Sequence, residues 1–251
     1  MDVRLLGSGG WMPTDRRETA CVALREGPDL LLLDAGTGLR RLVTEPELLH
    51  GVERLHVALT HFHHDHVFGL IALPALGRVP VRELWAPGLL VAGRPADDVV
   101  RTLLGPPYLA STPEQVTDGF LTAVHELGGP ADVGPFRLDV RVQPLHTGPT
   151  LAFRVGGLAY CTDTAYDEEN AAFARGADVL LHEAVHPADE TDDPIHSAAG
   201  EAARIAVQAG VGRLVLCHVS PTLEDEDALV RHAVARFPET AVGRDGLALA
   251  V

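Results

Sequence analysis

The sequence predicts an α/β fold of two similar βα halves, with their sheets packed face to face and helices outside. Three observations support this. Short apolar runs of strand length alternate with helical patterns along the chain. Their order passes from hairpin-joined strands to alternating units and then repeats. No shift in composition marks a boundary, so residues 1–251 are read as a single domain. With 251 residues, 46% hydrophobic and 22% charged, the chain is globular in composition. A domain of this length buries about three quarters of the surface its unfolded form exposes.

Residues 3–6 read as a strand running into a glycine turn, and 20–25 with 30–34 as a hairpin pair. Helical spacing covers 37–49. Residues 55–60 are apolar at nearly every position, as a strand buried on both faces requires. An apolar helix over 67–76, a strand over 82–86 and a short helix over 95–104 follow. Strands return at 120–127, 136–145, 150–155 and 158–162, then a helix over 168–175 and a strand over 178–182. A helix over 197–208, a strand over 213–217, a helix over 224–237 and a strand over 247–251 complete the chain. The Pro- and Gly-rich stretches 105–108, 128–135 and 186–194 read as surface loops.

Composition excludes several functions. The 20 bases are all arginine, which rules out lysine Schiff-base chemistry and the phosphate loop that needs a lysine. They face 35 acids, for a formal charge of -15, which argues against a broad nucleic-acid-binding face. No apolar run approaches the ~20 residues of a membrane span. The start, MDVRLLGSGG, has no basic region followed by an apolar run. Three cysteines at no metal-finger spacing fit a reducing compartment, and a cytoplasmic protein is expected.

The chemistry concentrates in Thr60-His61-Phe62-His63-His64-Asp65-His66, between the strand over 55–60 and the apolar helix. So many imidazoles beside a carboxylate suit a metal and not a packed core, where their desolvation is costly. His61 and His63, two apart on extended backbone, point the same way, while Asp65 and His66 turn toward a second point and His64 away. Imidazole and carboxylate without thiolate suit Zn²⁺, and also Mn²⁺ or Fe²⁺. Further donors, His146, Asp163 and His218, each stand just past an apolar strand, where α/β sheets place their sites. Asp34, in DAGTG, reads as a helix N-terminal acid. Cys161 and Cys217 read as strand packing, and His50, His56, His125 and His232 as surface or core fillers. Trp11, Trp85, Tyr108 and Tyr166 are candidate pocket walls, with core packing the default.

HxHxDH followed by His, Asp and His at strand ends resembles the metallo-β-lactamase superfamily across the chain. The resemblance implies a four-layer αββα sandwich with two divalent metal ions. His61, His63 and His146 would hold one, Asp65, His66 and His218 the other, and Asp163 would bridge them; the resemblance also offers Asp34 a second reading, as a brace for a ligating histidine. A bridging water completes such a site, and two cations bring its pKa near neutrality. Leu6 to Gly10 with Pro13-Thr14 and Arg17, then His182-Glu183-Ala184, His196-Ser197 and Ser220-Pro221, is similar to the ribonuclease Z-like and phosphodiesterase-like branch. That likeness gives Glu183 and His196 a proton relay and lets Asp65 orient the water. Relatives of this kind are often dimers, so it also admits a homodimer.

This chain departs from the ribonuclease pattern. Asp15 and Glu18 stand where Lys and Asn are usual, Val185 and Ala198 replace threonines, and Thr222 replaces an arginine. No basic arm is seen in 105–135 or 186–194. The expected function is a binuclear hydrolase of phosphodiesters in a small or nucleotide-type substrate. The alternatives are hydrolysis of an arylsulfate, thioester or lactone, or tRNA 3′ processing; a non-enzymatic metal-binding protein is the least favoured.

Overall fold

Four consecutive leucines set the layering of the molecule. In β3 (Asp29–Leu33), Leu30 and Leu32 face an outer core while Leu31 and Leu33 face an inner one. A period of two in a strand buried on both faces makes it a partition between two cores. The computed structural model describes residues 1–77, 79–110 and 121–251.

Two seven-stranded mixed sheets pack on each other through the inner core, which includes Leu24, Phe136, Phe153 and Tyr160. The first runs in the order β14 (Ala248–Ala250), β1 (Asp2–Gly7), β2 (Cys21–Glu26), β3, β4 (Arg54–Ala58), β5 (Val81–Ala86), β6 (Ala123–Glu126). The second runs β13 (Thr240–Val242), β12 (Arg213–Cys217), β11 (Val179–Glu183), β10 (Leu158–Cys161), β9 (Thr150–Val155), β8 (Phe136–Gln143), β7 (Ala131–Val133). Each sheet has a hairpin half and a parallel half: β3 to β6 are parallel in one, β10 to β13 in the other.

Helical segments cover both outer faces. Against the first sheet lie α1 (Arg41–Thr44), α2 (His64–Val67) and α3 (Ala96–Leu103), with 3₁₀ turns at Thr37–Arg40, Pro46–Leu49 and Phe68–Leu76. Against the second lie α4 (Glu169–Phe173), α5 (Ala199–Ala209) and α6 (Glu226–Val234). The buried face of α5 is largely alanine, which lets its backbone approach the sheet closely. The order helix, sheet, sheet, helix is the four-layer αββα sandwich expected from the sequence. No helix among the described residues is long and apolar enough to cross a membrane.

Three local expectations differ. The helix over 37–49 is broken into short turns, because Pro46 cannot continue it. The segment over 68–76 winds as 3₁₀ helix around Pro74. Short edge strands β7 and β13 were not expected; each has three residues and shows little periodicity. Phe120, the expected first residue of β6, lies outside the described residues, as does all of 111–120.

At the start of β3, Asp29 is 3% exposed. Arg54 donates from Nε and Nη2 to its two oxygens at 2.6 Å each. His56, a core residue, lies between Asp29 and Glu83 at 3.1 Å from each. The Arg54 bond is the main cause that holds the Asp29 carboxyl below its usual range. A lowered carboxylate stabilises the fold above its unfolded pKa of about 3.9 and stops doing so as pH falls through the folded value. Asp29→Asn is expected to lower the melting temperature by about 5 °C at pH 7, the scale of lost charge-assisted bonds in a domain this size. The difference should close below about pH 4. Thermal unfolding followed across pH checks this; a constant deficit would place the effect in shape and not charge.

Candidate metal centre and proton relay

The donor side chains sit where strands end. Asp34 follows β3, Thr60 to His66 follow β4, His146 follows β8, Asp163 follows β10, Glu183 closes β11 and His218 follows β12. Asp34, Asp163 and His218 have φ of 60°, 51° and 53°, and Trp11 has 63°; no other non-glycine described residue has positive φ. Such backbone is sparsely populated and is kept where surrounding contacts over-determine it. Here it turns each side chain sharply off its strand into one space. Gly10 makes room for this: a Cβ there would lie 2.4 Å from the His218 ring.

The imidazoles converge on Asp163. His66 Nε2 lies 3.0 Å and His218 Nε2 3.4 Å from Asp163 Oδ2. His146 Nε2 lies 3.6 Å and His61 Nε2 3.9 Å from Oδ1. His63 Nδ1 is 3.3 Å from His146 Nε2, and His218 Nε2 is 3.0 Å from Asp65 Oδ2. Two groups therefore form, each compact enough for one ion: His61, His63, His146 and Asp163, and then Asp65, His66 and His218. Asp163 also groups with His196 and His218. His64 is exposed and outside every group.

The opposite ring nitrogens of His66, His146, His61 and His63 have partners, and the acceptors beside His66 and His146 set their tautomers, while His218 Nδ1 has no partner among the described residues. His66 Nδ1 donates to Asp34 at 2.8 Å, and His146 Nδ1 to the Ile195 carbonyl at 2.9 Å. His61 Nδ1 is 2.9 Å from the Thr60 hydroxyl, and His63 Nε2 is 3.2 Å from that of Thr147. Buried His61 Nε2 and His66 Nε2 make no aligned hydrogen bond among the described residues. Imidazole nitrogens and carboxylate oxygens gathered about one space are the donor set a divalent cation needs, so the residues fit one.

Charge divides the cluster. Burial, with help from His66, drives His61 well below its usual range, and burial with His146 lowers His63, so these two rings are offered neutral. In the other half burial opposes the charged ring, but Asp163 and Asp65 outweigh it and push His218 up to about 9. His66 is raised likewise by Asp163, Asp34 and Asp65. Burial opposes ionisation of Asp65 and Asp163, yet the rings beside them hold both carboxyls well below the usual range. That half favours positive charge.

Glu183 is fully buried at the end of β11, not a solvated strand end. It accepts from His196 Nδ1 at 3.0 Å and from the Ser197 amide at 3.2 Å. Burial opposes charge on His196, but the Glu183 bond and charge outweigh it and raise its pKa. The sequence placed His196 at a helix start. The structure begins α5 three residues later, because Glu201 caps the Ala198 amide. The acid that tunes His196 is Glu183.

Two clefts flank the cluster. One of about 540 Å³ is lined by Trp11, His186, His196 and His218 with Pro187, Pro221 and Leu223 among others. One of about 250 Å³ is lined by His61, His63, His146 and Val91 among others. Of the candidate aromatic walls, only Trp11 lines either cleft; Trp85 and Tyr166 pack against cores and Tyr108 is exposed. Cys161 and Cys217 are buried in their strands.

Asp34 is a brace, which decides the two readings of its motif. It accepts the Thr60 amide at 2.8 Å, the Thr60 hydroxyl at 2.9 Å, His66 Nδ1 and the Tyr160 hydroxyl at 3.0 Å. Thr60, Tyr160 and Thr147 escaped sequence reasoning because nothing marks a strand-end hydroxyl as functional. Arg17 and Glu18 are both turned into the scaffold. Arg17 is buried against Glu226, Ser8 and the Gly243 carbonyl. Glu18 is buried and paired with Arg40, so it faces no substrate phosphate.

Asp34→Asn is expected to fold yet bind Zn²⁺ about 10-fold more weakly, the usual scale for losing a ligand's partner. His64→Ala should bind as the unaltered protein does. Chelator-competition titration with circular dichroism as fold control checks both, and equal losses would contradict the facing assigned to this loop.

The family profile described as "Beta-lactamase superfamily domain" matches residues 30–219. A ribonuclease Z of Synechococcus sp. (strain WH7803) is 29% identical over 329 positions, covering 100% of this chain and 96% of that protein. The metallo-beta-lactamase fold protein YhfI of Bacillus subtilis superposes with a TM-score of 0.80 at 23% identity, covering 99% of this chain and 98% of that one. A diphosphatase of the PhnP family superposes with a TM-score of 0.74 at 20% identity, covering 100% and 97%. These last two likenesses show the fold. Taken with the cluster of histidines and aspartates, the profile match places the chain in the beta-lactamase superfamily, as a metal-dependent hydrolase of metallo-β-lactamase fold.

Proposed function

We propose that the chain, as one domain in the cytoplasm, hydrolyses phosphodiester bonds in a small or nucleotide-type substrate. His61, His63 and His146 would hold one divalent ion, Asp65, His66 and His218 a second, and Asp163 would reach both. Zn²⁺ suits this donor set best, with Mn²⁺ or Fe²⁺ as alternatives. When bound, such ions supply Lewis acidity and lower the pKa of water toward neutrality.

The Glu183–His196 pair carries the reading. The His196 ring lies 5.2 Å from the His146 ring and 5.5 Å from the His218 ring, so it faces the reacting group. Glu183 holds its Nδ1 and favours the protonated ring. As water attacks phosphorus and the P–O bond to the leaving group breaks, His196 Nε2 gives its proton to the departing oxygen. Asp65, fixed by the Trp11 amide at 2.7 Å, can orient the attacking water. An arylsulfate or thioester would meet the same ligands but, with an acidic leaving group, would leave this relay with less to do.

Substrate size rests on charge. Among the described residues no arginine lines either cleft. Asp15 is exposed, whereas Glu18 no longer counts against RNA. The alignment with the Synechococcus ribonuclease Z spans more positions than this chain has residues, so that protein carries insertions absent here. The name of that relative favours a second reading, tRNA 3′ processing.

Glu183→Gln and His196→Ala should spare metal content and slow turnover of an alkyl diester by about 100-fold. The double variant should cost little more than the worse single one, because the residues act in series. The loss should shrink with nitrophenolate as leaving group. Multiplicative losses in the cycle would show two independent roles.

The unaltered enzyme should cleave bis-nitrophenyl phosphate readily and precursor tRNA poorly, as measured by kcat/KM at low and physiological salt. Efficient precursor cleavage with a steep loss at high salt would instead establish the second reading, since phosphate contacts give that salt dependence.

A further inference from the structure

His186 is the one polar group in the larger cleft that the proposed relay and metal ligands do not use and that carries its own carboxylate. Its Nε2 lies 2.7 Å from Asp193 Oδ2. Asp193 is itself fixed, since its Oδ1 accepts the Ile195 amide at 2.9 Å. The backbone of His186 is tied to the chain before α5, where it bridges to Ala198 and accepts from the Ala199 amide at 3.0 Å. The ring is therefore held from both ends. In the neutral ring the proton sits on Nε2, facing the carboxylate, and Nδ1 keeps its lone pair. Nδ1 makes no hydrogen bond among the described residues.

The rest of the cleft gives the chemistry of its occupant. Trp11 is 70% exposed and offers an indole face, with Pro187, Pro221 and Leu223 as further apolar surface. Among the described residues no arginine, aspartate or glutamate lines it. Its groups able to meet a charge are His196 and His218, which serve the departing oxygen, so a charge elsewhere on the moiety would be desolvated without a charged partner. His196 and His218 line the same cleft, so its occupant is the group attached to the departing oxygen.

We propose that this cleft receives an uncharged, planar leaving-group moiety bearing an N–H or O–H donor, and that His186, oriented by Asp193, reads that donor through Nδ1. The inference rests on the phosphodiester reading for its placement relative to the reaction. It makes His186 a specificity residue, acting on binding of one part of the substrate and leaving the chemical step to His196.

The test uses methyl aryl phosphodiesters whose rings carry a carboxamide, an N,N-dimethylcarboxamide or a carboxylate, with the metal-loaded full chain. The carboxamide should give a KM about 10-fold below the dimethyl amide, which lacks the donor, with similar kcat. The carboxylate should be poorest. His186→Phe keeps a flat ring without the acceptor; it should erase the advantage of the carboxamide while changing turnover of the dimethyl amide less than twofold. Asp193→Asn should erase part of it. A merely structural role would move both esters together, and that outcome overturns the proposal, as does a preference for the carboxylate.

Binding of the free phenols, followed by quenching of Trp11 fluorescence with Trp11→Phe as control, separates the two levels of inference. If none of the diesters turns over, the phosphodiester reading falls, and the cleft is still decided by this titration. Tighter binding of 4-hydroxybenzamide than of its dimethyl analogue, lost in His186→Phe, supports the recognition role. Equal binding of the two, or no quenching by either, refutes it.

Discussion

The arrangement hangs on one buried carboxylate. Asp34 is wholly inaccessible and accepts bonds from Thr60 and His66 on the loop after β4 and from Tyr160 on β10. Those donors come from both sheets, so Asp34 fixes the distance between the sheets at the edge where the donor set is built. A buried charge is tolerable only when its oxygens are fully used, and here they are. Loss of any donor would strand part of that charge. The same bonds orient His66, whose other nitrogen looks toward Asp163 and Asp65. Sheet packing and ligand geometry are thus one problem with one solution.

The second constraint is space. The loops bearing Asp34 and Asp65 nearly touch: a Cβ on Gly36 would lie 2.1 Å from the Asp65 carbonyl. Only glycine allows that approach. Together with left-handed backbone at Asp34, Asp163 and His218, it means the local structure is held against its own preference. The surrounding sheets over-determine those conformations, which is why strand-end residues, not mobile loop tips, form the centre.

This explains what could be read beforehand. The HxHxDH loop was legible because so many costly side chains in one short run have few other uses. His146, Asp163 and His218 were legible because each follows an apolar strand, and strand identity depends on local pattern. Glu183 was located, but its burial was not, because a strand's last residue can face water or core with equal periodicity. The role of Asp34 stayed open for a related reason: its partners Thr60 and Tyr160 are distant or unremarkable in sequence. The facing of Glu18 was not legible, because a motif position fixes sequence order and not which way a side chain points. Short edge strands such as β13 escaped because three residues carry too little pattern.

Charge placement ties fold to substrate. The protein has only 20 cationic side chains against 35 acids, and several arginines serve the scaffold. Arg17 joins the N-terminal loop to Glu226 on α6 and to the Gly243 carbonyl, Arg54 secures Asp29, and Arg141 secures Asp167. Near the centre the acidic run after Pro187 is partly spent in the same way: Glu190 pairs with Arg204 and Asp193 with His186. An arginine committed to a buried carboxylate cannot also track a phosphate backbone, because leaving the acid unpaired costs more than a solvated phosphate contact returns. Positive charge for the reaction would then come from bound cations, whose field is strongest at the scissile group. A centre built in this way can act on one phosphate while offering little to the next, and that asymmetry, more than the fold, argues for a small substrate.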